Sequence, residues 1–430
     1  MLRATVTKEI HRMDKPQLRM DIQLVPAEVE GQQLVVFIDP LGITDQKVAV
    51  DISLVPLLEL LDGRHDVQDI QMILMRQHNG QIPPLADLES FINGLDMAFL
   101  LNSDRFRSKM KSLYDAFAQN QDRQPSHAGR SYDADPRALT QYIENLEKGL
   151  AIDESAHRDA MVTGLLAPHI DIQVAGTRYV NLYRQIKNSV YDLIIIFGIN
   201  HQWQDGLYCV TEKHYITPFG PMETDRKFIH DLTRRVPTGT LATNDFGHKM
   251  EHSIEFQTVF LHHYLASPTP IVPILCGSIH EFIYGKKSIF EDERFTGMVN
   301  TIEELITAGN RRVLFVSGVD FSHVGLKFGS GMPADAILPD ASANDRKVLS
   351  WLEEGNPEAI FENALETGDK FNVCGLPSIL IFSRLMQGRT GSLLSYDAYD
   401  ETATQSAVTY ASMLFTDAQA DTRHAAHVGT

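Results

Sequence analysis

Among the side chains between positions 169 and 374 that can hold a metal ion or move a proton, nine stand out by their place next to strands, turns or a short helix: His169, His201, Asp245, His248, His252, Glu255, Asp320, His323 and Cys374. Imidazole, carboxylate and thiolate are the donors that iron, copper and zinc take, whereas any one of these histidines alone reads as a surface or packing residue. Their placement changes that reading. The apolar run 162–169 delivers His169 just after Pro168, the run 193–198 is followed by His201, and the run 313–317 by Asp320 and His323. Ligands in open α/β sheets bind beyond the carboxyl ends of parallel strands, so three strand ends carrying such groups predict one shared site. His248 and His252, spaced i,i+4 with Glu251 and Glu255 alongside, are expected on one face of a helix, although the pair lacks the glutamate placement of the metalloprotease signature. Cys374 precedes an apolar helix expected over 378–386, whose N-terminus should lower the thiol pKa. Cys209 and Cys276 sit in apolar runs and read as small buried hydrophobes.

The elements that must position these groups follow from the apolar periodicity. From about residue 127 to 417 apolar strands alternate with amphipathic helices, the pattern of an α/β sheet covered on both faces. Asp135-Pro136 opens one such helix, with Leu139, Tyr142, Ile143 and Leu146 on its buried side. Ahead of it, runs at 34–38 and 48–52 predict a β-hairpin. Three apolar stripes then predict helices: one through Leu58 and Leu61, one through Ile70 and Leu74, and one through Leu88, Ile92 and Leu95. Residues 20–105 are therefore expected as a small α+β module, 106–126 as a polar linker, and 127–417 as the main domain. Residues before about 20 and the last 14, with His424 and His427, are expected as poorly ordered ends.

Composition excludes several functions. A net charge of -18 argues against nucleic acid and against an anionic membrane surface as partners. No apolar stretch approaches the roughly 20 residues of a membrane span, the N-terminus lacks a signal-peptide pattern, and three cysteines form no disulfide framework. The expected compartment is the cytoplasm.

Seven ordered blocks resemble those of the MEMO proteins, whose bacterial and archaeal members are also called component B of the AmmeMemoRadiSam system. They are Ala128-Gly129 with Tyr132, Ala167-Pro168-His169, Gly198-Ile199-Asn200-His201, Thr217-Pro218-Phe219-Gly220 with Asp225, His248 through Glu251-His252-Ser253-Ile254-Glu255, Asp320-Phe321-Ser322-His323, and Asn372-Val373-Cys374-Gly375. The resemblance implies a fold similar to the class III extradiol dioxygenases. It also implies a single iron or copper held by His169, His201 and Cys374, with His252 as acid-base group and Asp320 and His323 orienting ligands or substrate. Ile170-Asp171, Asn200 and Gln202 depart from the usual blocks, so no substrate specificity is carried over. The stretch around Leu57 to Ile70 resembles the PqqD-like winged-helix modules, which implies a peptide or a radical S-adenosylmethionine enzyme as partner. Two functions stay open: a metal-dependent redox enzyme, and a non-catalytic binding or adaptor protein that retains a dioxygenase-like pocket.

Overall fold

The computed structural model describes residues 15–29, 31–39, 41–44, 46–77, 83–150, 161–202 and 205–417, so His424 and His427 lie outside the described residues. The chain divides into two compact units, Met1–Gln119 and Asn120–Thr430.

In the first unit β1 (Gln23–Val29), β2 (Gln32–Ile38) and β3 (Val48–Asp51) form an antiparallel sheet in that order. Helices α1 (Val55–Glu59), α2 (Val67–Gln77), α3 (Leu85–Met97) and α4 (Asp104–Gln119) follow. The expected hairpin is β2–β3, with Val36 opposite Ala49. The three apolar stripes meet in one core with Phe37, formed by Leu58, Leu61, Ile70, Leu74, Leu88, Ile92 and Leu95. Two stretches carry more regular structure than their composition suggested. Residues 15–20 are ordered: Gln17 and Leu18 bridge to Asp62 and Leu101, and Arg19 is buried with its guanidinium on Asp39 (2.7 and 3.3 Å) and on the Phe99 carbonyl (2.8 Å). Charged composition concealed this, because a buried arginine is stable only beside a partner distant in sequence. Most of the expected linker 106–126 is α4, whose apolar stripe shrinks to Met110 and Phe117 and so resembles loop composition, and the boundary between the two units falls within that stretch.

The second unit opens with β4 (Asp122–Arg123), α5 (Pro136–Lys148), β5 (Val162–Ala167), α6 (Ile172–Tyr183), β6 (Leu193–Ile199), β7 (Tyr208–Val210), β8 (His214–Thr217) and β9 (Gly220–Met222). It continues with α7 (Arg226–Arg235), α8 (His252–Tyr264), β10 (Ile271–Cys276), α9 (His280–Gly285), α10 (Glu293–Gly309), β11 (Val313–Gly318) and β12 (His323–Gly325). Helices α11 (Ala334–Glu354), α12 (Pro357–Thr367) and α13 (Leu376–Leu385) and the strands β13 (Arg389–Glu401) and β14 (Ser406–Asp417) complete it. Asp135 caps α5 as expected, accepting from the Arg137 and Ala138 amides at 3.0 and 2.9 Å.

Among the described residues the main sheet runs β12-β14-β5-β11-β6-β10-β7, with β13 paired to β14. Its centre, β5-β11-β6-β10, is parallel, and β14 joins it antiparallel through β5. The central strands are apolar at nearly every position because both faces are covered. Ile194, Ile196, Leu314 and Val316 pack with α6 and α8, whereas Ile195, Phe197, Val313 and Phe315 pack with α10 and α13 on the other face. This is a mixed α/β fold. The shared direction of β5, β6, β10 and β11 brings His169, His201, Ser278 and Asp320 to one edge of the sheet. Glycines let α8 press against that edge, since a Cβ on Gly198 would lie 2.5 Å from Ser253 Oγ and one on Gly318 would lie 2.3 Å from the Ser253 carbonyl oxygen.

No helix among the described residues is long and apolar enough to cross a membrane.

Candidate metal centre

His169 stands just past β5 with 2 % of its surface exposed. Its backbone N–H donates to Asp320 Oδ1 (3.0 Å) and its Nδ1 lies 3.1 Å from the Gly318 carbonyl. A carbonyl only accepts, so the ring proton sits on Nδ1 and the lone pair on Nε2, which faces Cys374 Sγ at 3.4 Å. His201, just past β6, is oriented in the same way by a different partner. Its Nδ1 lies 2.9 Å from Glu251 Oε2, again leaving Nε2 free. Cys374 approaches on the turn before α13. One ligand atom from each of His169, His201 and Cys374 lies within 4.8 Å of the others.

A second group, His201, Glu251 and His252, is equally close, but its carboxylate is already committed. Glu251 caps α8 by accepting the Ser253 N–H at 2.8 Å with Oε1, which also lies 3.2 Å from His252 Nδ1, while Oε2 holds His201. Glu251 therefore orients both histidines. The rings of His169, His201 and His252 form a triangle with centroid separations of 5.0–5.1 Å.

Electrostatics agree with this division of roles. Burial pulls His169 and His252 down to about 3, so both imidazoles are neutral near neutral pH, the form that ligates or accepts a proton. His201 keeps 38 % of its side chain accessible yet is otherwise enclosed by protein, so desolvation lowers its pKa while the Glu251 carboxylate raises it by more. Burial pushes Asp320 up to about 6. His169 Nε2 and Asp320 Oδ2 are 3.5 Å apart, but both shifts disfavour the charged forms, so this approach is not an ion pair. Burial, with Asp320 adding to it, holds the Cys374 thiol well above its ordinary value. The expected thiolate-favouring helix terminus is thus outweighed by desolvation. With its proton on, the thiol sits between His169 Nε2 and the Asp320 carbonyl (3.7 Å). A cation at these donors would supply the compensating charge and release that proton. The Nε2 atoms of His169 and His201, each ring held through Nδ1 by another group, beside one thiol fit iron or copper, with the raised His201 pKa meaning that a cation there competes with a proton.

The structure separates the remaining candidates. His323, on β12, has Nδ1 3.0 Å from the Phe321 carbonyl and lines a cavity of about 340 Å³ together with His201 and Cys374. His248 is not on a helix with His252: it closes a 3-10 turn, is fully buried, and is held by the Tyr215 hydroxyl (2.7 Å) and the Cys209 carbonyl (3.0 Å). Asp245 turns away to accept from Thr211 at 2.6 Å. Glu255 is structural. It takes Arg123 Nη1, the Ser126 and His127 amides (3.0 and 2.9 Å) and the Tyr132 hydroxyl (2.6 Å), while Arg123 also grips the His248 and Glu251 carbonyls at 2.9 and 2.7 Å. Cys209 and Cys276 are buried, as expected. Arg123 gave no sequence signal, because it lies in the polar stretch that resembles a linker.

Fold and site together define a mixed α/β protein that gathers histidine and cysteine donors at the carboxyl edge of a parallel strand set. Residues 123–414 match the Memo-like protein family. The chain belongs to that family. A MEMO1 family protein of Aquifex aeolicus is 30 % identical over 88 % of this chain and 94 % of its own length. Others, from Pyrococcus horikoshii and Methanosarcina barkeri, are 27 % and 25 % identical over 64 % of this chain and 91 % of theirs. The Aquifex likeness covers more of the chain than Asn120–Thr430 comprises, so it reaches into the first unit.

Proposed function

We propose that the second unit is a metal-dependent redox enzyme with a class III extradiol dioxygenase-like fold, holding one iron or copper through His169, His201 and Cys374. The observation that carries this reading is the convergence of three donor atoms within 4.8 Å, with both ring Nδ1 atoms engaged elsewhere. When bound, the metal supplies electron transfer and Lewis acidity, and the thiolate makes the site softer than one built from two histidines and a carboxylate. The chain's own groups do the rest. Gly318 and Glu251 aim the two imidazoles, and Asp320 ties the His169 backbone to β11. His252, neutral and 29 % accessible, accepts a proton, His323 on the cavity wall orients the substrate, and Asp320 orients the His169 ligand. The test is metal analysis of the anaerobically purified full chain beside the variant His169→Ala/His201→Ala/Cys374→Ser. Stoichiometric iron or copper in the parent and none in the variant is expected. Equal content in both would sink the assignment.

The first unit is proposed as a PqqD-like winged-helix module that docks a radical S-adenosylmethionine enzyme or a peptide. Its separate core over a three-stranded antiparallel sheet supports this reading.

A further inference from the structure

The cavity beside the candidate metal centre has a second polar end. His201 and Cys374 line one part of it, and Ser278, His280 and Asp369 line another, with Ile199, Ile279, Phe328, Val373 and Leu376 supplying apolar wall. Ser278 follows β10 at the same carboxyl edge of the sheet that presents His169 and His201, and His280 opens α9. Asp369 reaches in from the turn after α12. Its Oδ2 lies 3.3 Å from His280 Nε2, and its Oδ1 accepts the Val373 N–H at 3.1 Å, one residue before Cys374. On the other side of the ring, His280 Nδ1 lies 2.9 Å from Ser278 Oγ.

We propose that Ser278, His280 and Asp369 bind the carboxylate of a small, otherwise apolar substrate whose opposite end faces His201 and Cys374. This rests on the reading of the cavity as an enzyme site and names the class of molecule that fills it.

The argument is one of hydrogen-bond direction and charge. Asp369 is not a bare anion in the cavity, because the Val373 amide and the His280 ring engage its two oxygens. Its partner raises the His280 pKa, favouring the ring with protons on both nitrogens. Nε2–H then donates to Asp369 and Nδ1–H to Ser278 Oγ, which leaves the serine hydroxyl proton to point at an acceptor in the cavity. Its polar lining otherwise consists of imidazoles, the Asn200 and Asn372 amides and thiols, and its one carboxylate, Asp369, is already engaged by His280 and the Val373 amide, so an oxyanion is favoured over a cation. A volume of about 340 Å³ lies at the small end of ligand cavities and suits a single-ring acid.

The experiment is fluorine NMR titration of the full chain with 4-fluorobenzoate, with 4-fluorobenzamide and 4-fluorobenzylamine as the neutral and cationic counterparts. Each is run on the protein as purified and after metal removal, for the parent and for His280→Gln and Ser278→Ala. The acid should bind in both metal states and in preference to its counterparts, and each substitution should weaken it about tenfold, the loss expected for a charge-assisted hydrogen bond. Metal content, measured on the same samples, should stay at the parent level in both variants. If the amine or the amide binds as well as the acid, if no probe binds, or if binding needs the metal and ignores His280→Gln, the proposal is overturned. Failure of the metal assignment would show separately, as missing metal in the parent.

Discussion

At the scale of single residues, the site depends on which ring nitrogen is left free. Gly318 and Glu251 engage Nδ1 of His169 and His201, so removing either histidine deletes a donor, whereas changing Glu251 only releases one. Glu251→Gln is accordingly expected to lower metal affinity by about 10-fold to 100-fold without abolishing it, read by competition with a chelator of known affinity. His252 separates two roles. If it moves a proton, His252→Gln keeps metal near the parent affinity while reactivity falls by about 10²–10⁴-fold; a collapse of affinity would instead make it a fourth ligand. His169, His201, Asp320, His323 and Cys374 were legible in the sequence because each follows an apolar run or precedes one. Arg123, His280 and Asp369 were not, since their importance comes from partners 89 to 132 positions away or from a turn that only the fold creates.

At the scale of elements, the segment carrying β4 acts as a strap across the start of α8. Arg123 is fully buried and joins Glu255 to the carbonyls of His248 and Glu251. Arg123→Met would leave the Glu255 carboxylate buried without its cation, which is expected to cost about 3–5 kcal/mol in denaturant unfolding. Pairing it with Glu255→Gln should recover part of that loss; no recovery would mean that the carbonyl contacts, and not the ion pair, dominate. Strap and α4 also mark the limit of reading elements from composition. Continuous apolar runs announced β5, β6, β10 and β11, and Asp135-Pro136 announced α5, because those signals are local. A helix with two buried residues and a two-residue strand carry almost no local signal.

For the molecule as a whole, two compact units imply two transitions. Residues 1–119, expressed alone, should unfold cooperatively, and a broad, non-cooperative melt would count against an independent unit. That unit should also be acid-sensitive through Asp39. Burial raises its pKa, but Arg19 and the Thr44 and Ile43 amides lower it by more, so its folded value lies below the ordinary one. Its contribution is therefore complete above pH of about 4 and is lost as pH falls through the depressed value; Asp39→Asn should flatten that part of the profile, followed by circular dichroism. In the second unit, β14 pairs with β5, the strand that leads to His169, and Thr409 on β14 exchanges backbone hydrogen bonds with Phe321 and Ser322 beside Asp320 (2.8 and 2.9 Å). Among the described residues it is also the last strand of the sheet to be synthesised. At about 5–20 residues per second, roughly 10–50 s separate the emergence of His169 from that of β14. Throughout that interval the histidine strand lacks its neighbour on one side, so the proposed metal site would be framed on both sides of β5 only after the ribosome has released this segment.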